Sequence, residues 1–301
     1  YLVQSNKFSE LRGDRLKCLK YPKAQITFLT AHSSKGLGFD NVVLVNMLEA
    51  KFGFPSQIEE GPPGIIVADD GYRRSLYLDG DSLQSCMLLN DPTGLVMEYS
   101  QAMMCALFFQ PGPARVLLVG LGGGSLVKFL LAACPAADIE VAEINPEIAE
   151  VARHFFYLPE DQRLRITLAP GEEVIARRRK AGERYDLLLL DAFDDNGPAR
   201  PLLDEQVLRR CRRLLGPRGV FAMNLWNRPR DNFPAIHATL ARVFESRTLK
   251  LALAENDNNA IVFGFAEPVQ SNRLLRLKPV ASGLARRTGI NVNEARDRIL
   301  A

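Results

Sequence analysis

The sequence predicts an α/β fold in which a doubly wound, mostly parallel sheet follows a small β region. From about residue 111 to 268, apolar strand patterns alternate with helix patterns, the order that builds such a sheet. Four consecutive leucines at 187–190, bounded by Asp186 and Asp191, are typical of a strand buried on both faces. A glycine-rich turn at 120–124 separates the first strand from the next helix.

The elements of this sheet are predicted in a regular order along the chain. Strands are expected at 116–119, 139–142, 164–168, 187–190 and 220–225, with helices from Leu126, after Asn145 and at 204–215, and a turn at 216–219. The strands at 116–119, 139–142 and 187–190 should be adjacent, parallel and buried. A small β region is expected at about 64–90, and a C-terminal helix from Asn293.

Composition and charge narrow the classes of function. The 301 residues carry a net charge of +3, too small to indicate nucleic acid or an anionic membrane as a partner. The five cysteines are scattered without metal-ligand spacing, which favours a reducing compartment and no metal site. Neither a leader peptide nor a membrane span is predicted, so a soluble, cytoplasmic protein is expected.

The first 60 residues do not fit the pattern of the rest. Their segment 26–47 resembles the motif V region of UvrD/Rep-type superfamily 1 DNA helicases. The matching residues are Thr30, His32, Ser34, Lys35, Gly36, Leu37 and Phe39. A motor also needs a G-x-x-x-x-G-K-[ST] phosphate loop, which the sequence lacks. We therefore expect residues 1–60 to be a helicase-like fragment without motor function, joined through the Gly/Pro-rich segment 61–64 to domains at 62–110, 111–270 and 271–301.

The glycine turn and the next strand predict a nucleoside site. Gly120, Gly122 and Gly124 allow a tight turn and close approach of the backbone to a ligand. About 20 residues later a second strand ends in Glu143, placed to accept hydrogen bonds from ribose hydroxyls. The pattern alone leaves open NAD(P) in a Rossmann fold or S-adenosylmethionine and its relatives in a methyltransferase-like fold.

A loop with three carboxylates follows the leucine strand. Asp191, Asp194 and Asp195 stand at the carboxyl end of a parallel strand, where ligands bind in open α/β sheets. Three acids so close together repel one another unless a cation compensates them. The cluster suits an amine substrate or a metal, and the alternative is a solvated acidic turn.

Taken in order, these segments resemble the spermidine synthase (polyamine aminopropyltransferase) family. The resemblance is carried by LYLDGDSLQS, VLLVGLGGGSL, VAEINPEIAEVAR, RLRITLAPGEE and YDLLLLDAFDDNGPA. It implies aminopropyl transfer from decarboxylated S-adenosylmethionine to a diamine such as putrescine, with no permanently bound cofactor and no metal. The implied roles are ribose binding by Glu143, proton acceptance by Asp191, polyamine binding by Asp194, nucleoside contact by Pro198, and positions near the substrate channel for Gln84 and Tyr99.

Three positions depart from the family pattern. Gly123 stands where the family has an aspartate for the donor's amino group, Pro170 where an aspartate lies near the adenine, and Ser100 where a histidine is usual. Glu172 or Glu173 could replace the aspartate near the adenine. The alternatives are a methyltransferase that uses intact S-adenosylmethionine, and a non-catalytic nucleoside or polyamine binder. We expect a small polyamine as partner, a homodimer, and neither nucleic acid nor membrane.

Overall fold

The computed structural model describes residues 8–12, 15–18, 26–27, 57–60, 64–78, 82–194, 197–227, 232–253, 259–269 and 277–288. The chain forms two compact units, Tyr1–Ser56 and Gln57–Ala301. In the first unit, β1 (Phe8–Arg12), β2 (Arg15–Cys18) and β3 (Ile26–Thr27) form an antiparallel sheet. The helicase-like residues from Thr30 to Phe39 lie outside the described residues, as does the C-terminal helix expected from Asn293.

The second unit begins four residues before the boundary that the sequence predicts. Strand β4 (Gln57–Glu60), which we assigned to the helicase-like fragment, pairs antiparallel with β5 (Ile65–Asp69) of the second unit. Strands β6 (Arg73–Leu78) and β7 (Ser82–Leu88) complete a four-stranded antiparallel sheet. The small β region therefore starts at Gln57, because β4 is paired with β5.

The main sheet has seven strands in the order β10-β9-β8-β11-β14-β16-β15. Their bounds are β8 (Arg115–Val119), β9 (Asp138–Glu143), β10 (Leu164–Leu168), β11 (Tyr185–Leu190), β14 (Leu215–Trp226), β15 (Thr248–Ala252) and β16 (Asn259–Phe265). The first five are parallel, and β16 pairs antiparallel with both β14 and β15. The three strands expected to be adjacent are confirmed as β9, β8 and β11 at the centre of the sheet. Residues 216–219, predicted as a turn, lie within the bounds of β14 as an irregularity between the Leu215–Tyr185 and Val220–Leu187 pairs.

Helices cover both faces of this sheet. One face carries α1 (Glu98–Met103), α2 (Ala106–Phe109), α3 (Ser125–Ala133), α4 (Pro146–Phe155) and the four-stranded sheet, packed through one apolar cluster. The other carries α5 (Gly171–Lys180), α6 (Glu205–Leu214), which follows the 3₁₀ turn Arg200–Leu203, and α7 (Phe233–Val243). Apolar residues on both sides of the central strands explain why the leucine run reads as continuously hydrophobic.

Side chains with local roles set where two of these helices begin. Asn145, the residue before Pro146, accepts a hydrogen bond from the Glu147 amide. Asp204 accepts hydrogen bonds from the Gln206 and Val207 amides. Such caps satisfy amides that have no partner inside the helix. The start of α4 thereby fixes the chain directly after Glu143.

The tail beyond residue 271 contributes a helix that the sequence did not predict. Helix α8 (Leu277–Thr288) buries Ala281 and Leu284 against the same cluster as α2 and α3. Its short apolar pattern, interrupted by Pro279 and Gly283, gave little signal in the sequence. Among the helices of the described ranges, none combines the length and the apolar character needed to cross a membrane.

Candidate functional site

A cavity of about 610 Å³ opens at the carboxyl ends of the central parallel strands. It lies where β8 and β11 meet, which is the point at which the strand order reverses. Ligands of open α/β sheets bind at this switch point, since the loops that follow the two strands diverge there. Its lining includes residues of β7, α1, the glycine turn, the end of β9, the start of α5, the loop after β11, and the adjoining ends of β14 and β16.

The glycine turn brings β8 against the loop that carries Asp191. Gly120 has φ +96°, and a Cβ there would lie 2.1 Å from the Asp191 carbonyl oxygen, so any side chain is excluded. Gly122 and Gly124 also adopt positive φ. Gly120 and Gly122 line the cavity, whereas Gly124 begins α3 and packs against Leu158.

Glu143 lies at the end of β9 with its carboxylate inside the cavity. It is 7% exposed, and its oxygens accept hydrogen bonds from the Leu121 amide at 2.8 Å and the Asn145 amide at 2.9 Å. Burial raises the pKa of this carboxyl, and the backbone amides oppose the rise. Each oxygen keeps acceptor capacity, so Glu143 can bind two vicinal hydroxyls while it holds the glycine turn against α4.

Asp191 follows β11 directly and lines the same cavity. Burial raises the pKa of its carboxyl to about 6, and hydrogen bonds from Asn224 and Tyr99 oppose that rise. Asn224 Nδ2 donates to Asp191 Oδ1 over 3.0 Å, and Asn259 Nδ2 donates to Asn224 Oδ1 over 2.7 Å. A carboxyl with this pKa is mostly ionised at neutral pH and accepts a proton more readily than an ordinary aspartate.

Aromatic side chains form the cavity wall beside Asp191. Phe193 and Trp226 lie with their ring centroids 5.6 Å apart, and both line the cavity. A Cβ on Gly197 would lie 2.9 Å from the Trp226 ring, so the loop after β11 packs directly on that ring. Tyr99 of α1 and Gln84 of β7 line the cavity as well, which brings both sequence-predicted channel residues to the site.

Two further predicted residues, Asp194 and Pro198, lie on the chain that follows β11. Strand β12 (Phe193–Asp194) pairs with β13 (Gly197–Pro198), so Asp194 stands opposite Gly197 in the backbone; its side chain lies outside the described part. Pro198 is partly buried, and of the described residues beyond it Ala199, Pro201 and Leu202 line the cavity instead.

Side chains from other elements occupy the space beside Gly123. A Cβ on this residue would lie 2.8 Å from both Phe156 Cδ1 and Ser85 Oγ. The Ser85 and Ser125 hydroxyls are hydrogen-bonded to each other over 3.2 Å, and both residues line the cavity. Serine hydroxyls therefore stand at this end of the glycine turn, and an aspartate at position 123 does not fit without a shift of its neighbours.

The other two departures from the expected pattern have structural explanations. Pro170 is the residue before α5, and Glu172 of that helix lines the cavity. Ser100 is buried on α1 and donates its hydroxyl to the Met97 carbonyl over 2.6 Å.

Sequence reasoning missed the two asparagines and the two serines. Asn224 interrupts an apolar strand near its carboxyl end, a signal that could have found it. Asn259 follows a run of polar residues, and Ser85 belongs to a different sheet, so neither had a comparable signal.

The fold and this site define the class of Rossmann-like transferases with a methyltransferase-like sheet. The model of the spermine/spermidine synthase domain family matches residues 97–252. A polyamine aminopropyltransferase of Chromobacterium violaceum is 33% identical over 241 residues, which cover 80% of this chain and 90% of the relative. The chain belongs to the spermine/spermidine synthase family.

Solved structures bear out the fold. A probable spermidine synthase from Corynebacterium glutamicum superposes with a TM-score of 0.62 at 19% identity, over 77% of this chain and 86% of the other. Human methyltransferase-like protein 13, solved in complex with SAH, superposes with a TM-score of 0.58 at 27% identity, over 65% of this chain and 94% of the other.

Proposed function

We propose that the protein transfers an aminopropyl group from decarboxylated S-adenosylmethionine to a small polyamine such as putrescine. The observation that carries this proposal is Asp191, a carboxyl with a raised pKa beside an aromatic wall at the switch point of the sheet. Membership of the family and the aminopropyltransferase relatives support it.

Glu143 binds the ribose of the donor in this proposal. Its carboxylate lines the cavity between the glycine turn and α4, and each oxygen has acceptor capacity left for a ribose hydroxyl. The donor's sulfonium then lies toward Asp191. This residue follows β11, which is separated from β9 by β8 alone. Such placement holds the reacting carbon and the acceptor nitrogen together.

Asp191 accepts the proton that the acceptor amine must lose. An alkylammonium has a pKa near ~10 and no lone pair while it is protonated. As the nitrogen lone pair forms a bond to the carbon beside sulfur, the carbon–sulfur bond breaks and sulfur keeps its electrons. The Asp191 carboxylate takes the proton from the ammonium group before this attack and thereby frees the lone pair, and the products are the extended amine and methylthioadenosine.

The rest of the acceptor binds along the aromatic wall. A protonated amine is attracted to the faces of Phe193, Trp226 and Tyr99, and its methylene chain packs against the same rings. Asp194 is the proposed anchor for the distal ammonium group, as the resemblance to the family implies.

The decisive assay offers putrescine with each donor in turn and identifies the products by mass. An aminopropyl adduct formed from the decarboxylated donor and lost in Asp191→Asn supports the proposal. Donor binding should persist in this variant, since Glu143 and the glycine turn are unchanged. No adduct with any small diamine or polyamine would contradict it.

Methyl transfer from intact S-adenosylmethionine is the second candidate. The observation that favours it is the subsite of Gly123, Ser85 and Ser125, where these described residues present hydroxyl groups rather than a carboxylate to the amine of the donor. The likeness to methyltransferase-like protein 13 points the same way. A methylated product in the same assay would establish this alternative.

A further inference from the structure

Two asparagines link Asp191 to the antiparallel side of the sheet. Asn224 is 3% exposed and donates from Nδ2 to Asp191 Oδ1 over 3.0 Å. Asn259, the first residue of β16, donates from Nδ2 to Asn224 Oδ1 over 2.7 Å. All three residues line the cavity.

Strand register places these groups side by side. Leu190 pairs with Met223, so Asp191, the residue after β11, lies beside Asn224, which is still within β14. Trp226 pairs with Asn259 on the antiparallel strand, which puts Asn259 two positions from Asn224 on the same face. The contact is thus built into the backbone of the sheet.

The hydrogen-bond chain has a direction. An asparagine amide donates at one end and accepts at the other. Because Asn259 donates to the Asn224 oxygen, the Asn224 amino group is turned toward Asp191. A flipped Asn224 would set its oxygen against the Asp191 carboxylate. It would also turn its amino group toward the Asn259 amino group, which then has no acceptor, so Asn259 disfavours the flip.

We propose that Asn224 and Asn259 are positioning residues, which hold the Asp191 carboxylate as an oriented anion for the acceptor amine. This inference rests on the proposed function for the identity of the acceptor. Neither asparagine needs to touch the reacting atoms: Asn224 acts on Asp191, and Asn259 acts through Asn224.

The ionisable groups that share the cavity come from three other elements. Within the described residues they are Tyr99 of α1, Glu143 of β9 and Glu172 of α5. Burial raises the pKa of Asp191, whereas the hydrogen bonds from Asn224 and then Tyr99 lower it. Loss of the Asn224 donor should therefore move the pKa of Asp191 upward while Tyr99 still donates.

A direct titration tests the linkage without any turnover. The Asp191 carboxyl is followed by NMR in the unliganded full chain, and its signal is assigned by its loss in Asp191→Asn. Asn224→Leu should raise the Asp191 pKa by about one unit, as expected for removal of a hydrogen bond to a charged group. Asn259→Ser should raise it by less. Ile261→Val, at the residue that pairs with Asn224, should leave it unmoved.

Kinetics then tests the positioning role. In Asn224→Leu and Asn259→Ser, the acidic limb of the kcat profile should move to higher pH by the same amounts as the pKa. The KM for the donor should stay unchanged. A uniform fall of kcat at every pH, with the Asp191 pKa unmoved in both variants, would overturn the inference. The two hypotheses can fail separately. If the Asp191 pKa moves as expected but the protein transfers no group from either donor, the linkage is supported and the proposed function is overturned.

Discussion

At the residue scale, Glu143 combines its proposed ligand binding with a structural task. Its oxygens hold the Leu121 and Asn145 amides, so the side chain joins the glycine turn to the start of α4. An alanine leaves both amides without this partner, and a glutamine keeps one acceptor but turns an amino group toward the other amide. The proposed ribose site and the loop geometry therefore depend on one carboxylate.

We expect Glu143→Ala to weaken binding of methylthioadenosine or S-adenosylmethionine about 10-fold or more, the effect of losing a hydrogen bond to a charged group. Calorimetry on the intact chain measures it. Glu147→Ala is the matched control, because this exposed glutamate on the same helix start contributes only its backbone amide to the Asn145 cap. Equal affinity in Glu143→Ala and the wild type would remove Glu143 from the ligand site.

Asp191 should give the reaction its acidic limb. Its pKa is raised to about 6, so the ionised fraction of Asp191, the form that accepts a proton, falls as pH drops through 6. Ionisation is nearly complete above pH 7. The ratio kcat/KM, which reports ionisation in the free enzyme, should fall about 10-fold for each pH unit well below 6 and level off above 7. A pH series of initial rates checks this, and a limb centred near the ordinary aspartate value would show that Asp191 is not the base.

At the element scale, the end of the glycine turn is shaped by two partners from outside it. Strand β7 supplies Ser85, and the chain after α4 supplies Phe156, which is fully buried. Both stand where the side chain of residue 123 would project. Packing between elements, as well as the loop itself, therefore keeps the position a glycine.

Gly123→Asp should lower the free energy of unfolding by about 1–3 kcal/mol, as overpacking of a well-packed site does. It should not improve binding of the decarboxylated donor, because the new carboxylate has to displace Phe156 or Ser85. Gly112→Asp is the control, since no atom lies within 4 Å of a Cβ there. Thermal melts compare the two, and an unchanged melt with tighter donor binding in Gly123→Asp would contradict the packing argument.

At the scale of the whole molecule, the chain divides at Ser56 rather than at the glycine and proline junction. Strand β4 protects one side of β5, whose Ile65, Val67 and Ala68 are buried. The first unit adds no described residue to the cavity. The site should thus function without it.

Removal of residues 1–56 should leave the melting temperature of the second unit and its ligand binding unchanged. Removal of residues 1–60 also takes away β4, so it should lower that melting temperature by exposing the edge of β5. Calorimetry of both truncations beside the full chain makes the comparison. If the protein without residues 1–56 failed to fold its second unit, the two units would depend on each other.

The first unit is expected to have no motor function. ATP hydrolysis by the full chain, stimulated by single-stranded DNA, would contradict that expectation.

Sequence alone was sufficient for the parallel strands, the glycine turn, Glu143 and Asp191. Each depends on a local pattern: a run of apolar residues, glycines where positive φ is needed, or a carboxylate directly after a strand. The order of the central strands followed from the same patterns, because short crossovers with one hand leave few arrangements. Resemblance to a family added Gln84 and Tyr99, which the structure places in the cavity wall.

Only the tertiary structure decided the surroundings of these residues. Asn259 lies 35 residues from Asn224, and Ser85 lies 40 residues from Ser125, so no local pattern could join either pair. The raised pKa of Asp191 likewise depends on burial by several elements and on donors from α1 and β14. A sequence determines backbone conformation over a few residues at a time, whereas contacts between distant segments depend on how whole elements pack and in what register.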